Sequence, residues 1–189
     1  MSASFATRDL APALWPAFER LFGKDGACGG CWCMWWRLEP GERIGIANGV
    51  SMRRRQKSLI EARKSRGVLA FAGDEPVGWC AYGPRADFPR LQRSRTLACD
   101  DAAEVWSIPC FFVKAGFRGK GVARSLLRHA LKSIRREGGR VAEAYPVRPP
   151  ATNATAFTGT VPFLESEGFV TLTAHPRGRQ RGRKSLRSA

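Results

Sequence analysis

A single stretch in the second half of the chain constrains the fold more than any other. Residues 105–113, VWSIPCFFV, are almost all apolar, as expected for a strand that is buried on both faces of a sheet. A glycine-rich turn follows, and from residue 122 the apolar residues recur with the 3.6-residue period of an amphipathic helix. Pro109 removes a backbone donor inside the strand, so it predicts a bulge or a splay there. A buried strand that leads directly into an amphipathic helix indicates an α/β architecture.

Helical and strand-like patterns alternate along the rest of the chain, with no internal repeat. The apolar spacing predicts helices over 11–22 and 51–65, an antiparallel hairpin of strands 68–72 and 77–82, and a further strand from Val141. No linker precedes the basic C-terminal stretch. We therefore expect one domain over residues 1–175 and a disordered basic tail over residues 176–189.

The composition is that of a globular chain with a strong excess of positive charge. It has 189 residues, 43% of them apolar, and a formal net charge of +16. No apolar run would span a bilayer, and the first residues lack the pattern of a secretory signal, so we expect a cytoplasmic protein with no membrane partner. A basic surface suits either nucleic acid or an anionic cofactor. Nucleic acid is the weaker alternative, because six of the 32 basic residues lie in the last thirteen.

Residues 28–37, CGGCWCMWWR, place three cysteines and three tryptophans in ten positions. The spacing of Cys28, Cys31 and Cys33 is partly that of a zinc or redox site. Structural zinc sites, however, use four ligands, usually as two separated pairs, and no second pair follows in the sequence. We therefore expect no metal, and we interpret the segment as apolar side chains that are mostly buried.

The turn between the buried strand and the amphipathic helix, KAGFRGKG, has the features of an anion site. The first N–H groups of a helix lack intrahelical partners and the helix dipole is positive there, so phosphate is the expected ligand. Gly119 and Gly121 let the backbone approach a phosphate closely, while Arg118 and Lys120 add positive charge.

Two common nucleotide motifs do not fit this turn. A Walker A loop needs a Lys and then a Ser or Thr after its second glycine, and Val122 follows Gly121 instead. A dinucleotide fingerprint needs a third small residue where Arg124 stands. The turn therefore requires a different phosphate-binding motif.

The pattern Arg118-x-x-Gly121-x-Ala123 resembles the acetyl-CoA signature of the GNAT superfamily of N-acetyltransferases. The resemblance covers roughly residues 5–172 and implies an α/β (α+β) fold with a mixed, mostly antiparallel central sheet. Helices flank this sheet, and it is splayed at the central strand. The resemblance also implies acetyl-CoA as the acyl donor. The residues that it implies in donor binding are Phe111, Phe112, Val113, Arg118, Gly119, Lys120, Gly121, Val122 and Ala123.

The resemblance further implies direct transfer of the acetyl group to an amine of a small molecule or protein within a ternary complex. In the family a tyrosine often protonates the departing thiolate, and Leu164 stands at that position here. Glu143 and Tyr145 are the candidate catalytic residues, because strand alternation places both on one face beside the expected splay. The alternative is that Tyr145 is a core residue and that Glu143 pairs with an arginine.

The segment CGGCWCMWWR falls between the first two helices, where the resemblance implies much of the acceptor pocket. Trp32, Trp35, Trp36 and Arg37 are therefore the predicted acceptor-binding residues. Two other classes of function remain open. One is a basic nucleic-acid or ribosome-associated module on the same fold, and the other is a non-catalytic acyl-CoA binder.

Overall fold

The computed structural model describes residues 5–152, 155–172 and 178–186. Within these residues the sheet strands are β1 (Ala6–Asp9), β2 (Arg66–Ala72), β3 (Glu75–Pro84), β4 (Val105–Val113), β5 (Val141–Ala144), β6 (Val170–Thr171) and β7 (Gly182–Ser185). The α-helices are α1 (Trp15–Phe22), α2 (Gly49–Glu61), α3 (Pro89–Gln92), α4 (Val122–Arg136) and α5 (Val161–Ser166). None of the helices in this part of the chain has the length and apolar character that crossing a membrane requires.

The strands form one sheet in the order β1-β2-β3-β4-β5-β7-β6. Only β4 and β5 are parallel, and every other neighbouring pair is antiparallel. The right-handed crossover expected between parallel strands is provided by α4, which separates β4 from β5 in the chain. The predicted fold class, a mixed and mostly antiparallel sheet flanked by helices, is confirmed.

The two faces of the sheet bury different sets of side chains. On one face, α4 packs an apolar stripe that includes Leu126, Leu127 and Ile134 against β1, β2, β3 and β4. On the other face, Phe18 of α1 meets the indole of Trp79 edge-on, with ring centroids 5.0 Å apart. The apolar periodicity of both helices therefore matches the face that each one covers.

The central strand β4 separates from β5 beyond Ile108. The two strands pair from Val105 opposite Val141 to Ile108 opposite Ala144. At this point β4 also shifts register against β3, next to Pro109. The predicted break at the proline is confirmed, and residues 109–113 have no strand partner on the β5 side among the described residues.

The backbone of this open edge has a defined orientation. The N–H of Lys114 donates to the carbonyl of Val77 on β3, at 2.9 Å. Because N–H directions alternate along a strand, the N–H groups of Phe111 and Val113 point away from β3 and toward the open edge. Pro109 has no N–H, and the Trp36 indole donates to its carbonyl at 2.9 Å.

The expectation of a disordered tail from residue 176 is corrected by β7, which lies inside the sheet between β5 and β6. Arg183 of this strand donates two hydrogen bonds to the Asp101 carboxylate, at 2.6 and 2.7 Å, and Leu186 is buried in the core. The residues of β7 are mostly polar, so the sequence pattern predicted a solvated segment. Arg183, however, binds acidic side chains from distant segments of the chain. Residues 176, 177 and 187–189 lie outside the described residues.

Candidate functional site

A cavity of about 290 Å³ lies at the start of α4. The turn before the helix uses left-handed backbone at Gly119 (φ 72°) and Gly121 (φ 90°), which is the conformation that glycine adopts without strain. The cavity is lined by Val113, Phe117, Arg118, Gly119, Gly121, Val122, Ala123, Arg124 and Phe163. The predicted donor-binding residues Val113, Arg118, Gly119, Gly121, Val122 and Ala123 are thus brought together around one cavity.

The electrostatics of this cavity favour an anion. The first-turn N–H groups of α4 have no carbonyl partner within the helix, and the positive end of the helix dipole points at the cavity. Arg118 is exposed, and its Nε donates to the Val113 carbonyl at 3.1 Å, which ties the turn to the end of β4. The Lys120 ammonium is also exposed and lies 5.5 Å from the centre of the Phe117 ring.

The side chains at the end of β4 are anchored in the two cores. The Phe111 ring packs edge-on against Phe163, with ring centroids 6.0 Å apart, and the Phe112 ring lies 5.6 Å from that of Phe22 on the opposite face. Of these two predicted donor-binding residues, Phe111 therefore offers its main chain to a ligand at the open edge, whereas the main chain of Phe112 pairs with Trp79 of β3.

Thr158 is a candidate site residue that no sequence pattern indicated. It lies in a 3-10 turn over residues 156–158, which packs against β4, and it is fully buried. Its hydroxyl has no hydrogen-bond partner among the described residues. A buried hydroxyl without a partner is costly unless a ligand or water completes it, so Thr158 is a candidate contact for a molecule at the splay.

Glu143 and Tyr145, the predicted catalytic pair, lie in a fully buried polar network. One oxygen of Glu143 accepts from Arg85 at 2.8 Å, and the other accepts from Arg181 and Arg183, with the shortest contact at 2.7 Å. The Tyr145 hydroxyl accepts from Arg85 at 2.7 Å and lies 2.6 Å from the Ser107 hydroxyl. Alternation did place both side chains on one face, where Arg85 bridges them.

This network changes the role expected for the pair. Every oxygen of Glu143 is already bonded to an arginine, so the carboxylate is not free to accept a proton from an amine. Burial, together with the negative charge of Glu143, raises the pKa of the Tyr145 phenol well above its usual value, which makes it a poor proton donor. Both residues are therefore suited to positioning the surrounding chain, and the alternative stated for them from the sequence describes their contacts better.

The four predicted acceptor-binding residues divide into two pairs. Trp32 is only 3% exposed and stacks between Trp15 and Phe22 in the core. Arg37 is buried, donates to the Asp87 carbonyl at 3.0 Å and stacks on a phenylalanine ring. Trp35 and Trp36, in contrast, line an open cavity. Of the four residues, the structure thus brings only Trp35 and Trp36 to a position where a ligand could contact them.

The cavity beside Trp35 and Trp36 has a volume of about 490 Å³. Its charged lining consists of Glu39, Glu42, Arg90, Arg93 and Arg179. No sequence pattern indicated these residues, because they come from an irregular loop, from the segment around α3 and from the expected tail. The hydrogen bond from Trp36 to Pro109 joins this cavity to the splay of β4.

The six cysteines are free thiols, and none of them is joined in a disulfide in the described structure. The Trp79 indole donates to the Cys33 sulfur at 3.1 Å. A hydrogen bond from Cys110, assisted by the Trp79 N–H, lowers the pKa of Cys33 although the thiol is buried, while burial raises that of Cys31 to about 11. No group of three or more His, Cys, Asp or Glu side chains placed to hold a metal ion is found in the described part of the chain.

A sheet splayed at its central strand, with a phosphate-suited turn at the end of that strand, defines the acetyltransferase class of fold. The model of the acetyltransferase (GNAT) family matches residues 29–159. The chain belongs to the GNAT family. No curated protein matches it.

Solved structures with this fold span nearly the whole chain. The GCN5-related N-acetyltransferase from Kribbella flavida has a TM-score of 0.57 at 21% identity, covering 96% of this chain and 97% of its own. The paia N-acetyltransferase from Thermoplasma acidophilum, solved with coenzyme A, has a TM-score of 0.56 at 15% identity, covering 97% and 99%. The yncA protein from Salmonella typhimurium, solved with acetyl-CoA, has a TM-score of 0.55 at 15% identity, covering 99% and 96%. At these identities the likeness shows the fold alone.

Proposed function

We propose that this protein transfers the acetyl group of acetyl-CoA directly to an amine, with both substrates bound at once. One observation carries the proposal. The anion-suited cavity at the start of α4 adjoins the unpaired edge of β4, with Val113 belonging to both. A ligand with phosphates at one end and an extended, amide-containing arm at the other would match this combination, and acetyl-CoA has that chemistry. The two neighbours solved with coenzyme A and acetyl-CoA support the assignment.

The donor would be held mainly by backbone groups. The N–H groups of the turn and of the first helical turn, over residues 118–123, would bind the pyrophosphate, with Arg118 and Lys120 adding charge. The main-chain groups of Phe111 and Val113, which face the open edge, would pair with the pantetheine arm as an added strand does, while Phe112 between them pairs with β3. The hydroxyl of Thr158, which has no partner in the described residues, lies beside the same strand.

The chemistry needs a neutral amine, a polarised thioester carbonyl and a proton for the thiolate. The N–H of Val113, directed toward the open edge, is our candidate donor to the carbonyl oxygen. Leu164, at the position where the family often has a tyrosine, is apolar and buried. With Tyr145 held in the arginine network, we propose that water takes up the proton that the amine loses on acylation and delivers a proton to the departing thiolate.

The donor site is tested by filling its cavity. Ala123→Phe places a large ring in the cavity at the first turn of α4, and we expect acetyl-CoA affinity to fall at least about tenfold because the ring occupies the phosphate position. Isothermal titration calorimetry measures the affinity. Lys132→Phe, on the exposed face of the same helix, is the matched control and should bind normally. Equal affinity in both variants would place the donor elsewhere.

A non-catalytic acyl-CoA binder is the second candidate, favoured by the absence of an acid at Leu164. A panel of amines, with release of free coenzyme A thiol as the readout, separates an enzyme from a binder. A third candidate is a nucleic-acid or ribosome-associated module on the same fold. It is tested by thermal-shift measurements with acetyl-CoA and with DNA or RNA, each at low and high salt. Stabilisation by nucleic acid alone, lost at high salt, would exclude the enzyme proposal.

A further inference from the structure

The cavity beside Trp35 and Trp36 contains two arginines without acidic partners. The guanidinium of Arg90 lies 3.7 Å from the centre of the Trp35 ring. That of Arg179 lies 5.5 Å from the Trp36 ring centre and 4.7 Å from that of Phe157. Neither arginine forms an ion pair with a carboxylate of the described residues, so aromatic faces are the main contacts of both.

The acidic side chains of the same cavity are already paired. Glu42 accepts two hydrogen bonds from Arg55, each of 2.9 Å, and Glu39 lies 3.4 Å from Arg93. Arg93 in addition donates to the Leu38 carbonyl. The positive charges of Arg90 and Arg179 are therefore the ones left uncompensated within the described lining.

The position of Arg179 is fixed by its backbone, and its charge is poorly solvated. It bridges to Val147, and the next residue donates its N–H to the Pro146 carbonyl at 2.8 Å. Its Nε is buried without a hydrogen-bond partner in the described structure. Burial lowers its pKa, and the nearby charge of Arg90 lowers it further. Two cations brought together at this cost would both be stabilised by an anion placed between them.

The cavity also has an apolar surface and access to the reaction centre. The indoles of Trp35 and Trp36 form its aromatic wall, and Trp36 is bonded to Pro109, next to the open edge where the thioester would lie. A volume of about 490 Å³ suits a small molecule. An acceptor held here would place its anion on the arginines, its side chain on the indoles and its amine toward β4.

We propose that the acceptor is a free α-amino acid with an apolar or aromatic side chain, whose carboxylate is bound by Arg90 and Arg179. This assignment rests on the proposed acetyl transfer, since it names the substrate class of that site. An α-amino acid carries its amine one carbon from its carboxylate, so capture of the carboxylate would direct the amine to the thioester. The terminal amine of a protein lacks that carboxylate and would be a poor acceptor.

The experiment compares phenylalanine, phenylalanine amide and phenethylamine as acceptors, with thiol release from acetyl-CoA as the readout. The amide has the less basic amine and so offers more of the neutral nucleophile, which means that a preference for the free acid cannot come from amine basicity. We expect kcat/KM to be at least about tenfold higher for the free acid, as loss of charge-assisted hydrogen bonds would predict. Equal or faster reaction of the amide, or a preference for phosphoethanolamine, would overturn the assignment.

Variants locate the preference within the cavity. Arg179→Gln and Arg90→Gln should each reduce the ratio of kcat/KM for acid over amide at least about tenfold, while Arg179→Lys, which keeps the charge but not the planar fork, should be intermediate. Arg95→Gln removes an exposed charge of the same segment and should keep the ratio. A ratio that is unchanged in both cavity variants would refute the role of the arginines.

Donor binding keeps the two proposals separate. Each variant is titrated with acetyl-CoA, and normal affinity shows that it is folded. If no amine of the panel reacts, titration with N-acetylphenylalanine and its amide decides the question, because the product carries the same carboxylate. Tighter binding of the acid supports the anion site, and equal binding overturns it. If the unmodified protein does not bind acetyl-CoA, that result contradicts the proposed transfer itself.

Discussion

Arg85 is the residue that joins the buried network to the wall of the cavity beside Trp35 and Trp36, the proposed acceptor site. It is only 1% exposed, and besides Glu143 and Tyr145 it donates to the carbonyls of Leu91 and Leu97, at 3.2 and 2.5 Å. These two carbonyls flank the segment that follows α3 and contributes to the cavity. One buried guanidinium thus connects β5 to a loop that has little regular structure to hold it in place.

The Glu143 carboxylate should be essential for stability. Glu143→Gln leaves Arg85, Arg181 and Arg183 with a neutral partner that cannot accept all their hydrogen bonds, so we expect the free energy of unfolding to fall by about 3–5 kcal/mol. Urea denaturation followed by circular dichroism measures it. Glu39→Gln, which affects an exposed pair, should change stability by no more than about 1 kcal/mol. If both variants lose similarly little free energy of unfolding, the network around Glu143 does not stabilise the fold.

At the scale of the strands and helices, much of the fold follows from local pattern. The strand at 105–113 coincides with β4, and the amphipathic helix coincides with α4, because a long apolar run and a strong 3.6-residue period each have one structural solution. The hairpin of β2 and β3 was predicted, but both strands are longer than the predicted ranges. The break at Pro109 was predicted because a missing N–H acts locally.

The elements that were missed depend on distant partners. β1 and β7 are short strands with polar residues, ATRD and GRKS. β1 is held by pairing with β2, and β7 is held by pairing with β5 and β6. Within the proposed acceptor cavity, Arg90 and Arg179 come from segments nearly ninety positions apart, and only the sheet topology brings them together. The glycine turn was recognisable because its ligand-binding groups are consecutive in the chain.

The attachment of β7 should weaken in acid. The Arg183 guanidinium lowers the pKa of Asp101 from 3.8 to about 2, so the folded state binds this proton less readily than the unfolded state. The stabilisation is therefore complete above about pH 4 and is lost as the pH falls toward 2. The Asp101 side chain is 40% exposed, so solvent screens its ion pair, and we expect Asp101→Asn to cost under about 1 kcal/mol near neutrality and almost nothing at about pH 2. A pH-independent difference in urea midpoint would contradict this.

The contact between β2 and the Trp79 indole leaves no room for a side chain at Gly67. A Cβ there would lie 2.0 Å from a ring carbon of the fully buried Trp79. We expect Gly67→Ala to destabilise the protein by about 1–3 kcal/mol or more, because the indole is wedged between Phe18 and the sheet. Gly116→Ala, where a Cβ meets nothing within 4 Å, is the control for thermal unfolding. Equal melting temperatures would mean that Trp79 can move aside.

At the scale of the whole molecule, the net charge of +16 should help to attract the phosphates of the donor. We expect the Kd for acetyl-CoA to rise steadily as salt is raised from about 0.05 to about 0.5 M, since screening shortens the range of these charges. S-acetylpantetheine lacks the phosphates, so its weaker binding should depend little on salt. Calorimetric titration of both ligands makes the comparison, and a salt-independent Kd for acetyl-CoA would show that surface charge plays no part.

The position of β7 between β5 and β6 also bears on how the protein is completed during synthesis. A chain that emerges from the ribosome N-terminus first has β4, the glycine turn and α4 available well before residues 178–186. β6 joins the sheet only through β7, and Arg179 immediately precedes that strand. The proposed donor half of the site can therefore form on a nascent chain before Arg179, the second arginine of the proposed acceptor half, has emerged. On this proposal, the chain acquires selectivity for the acceptor after the ability to bind the donor.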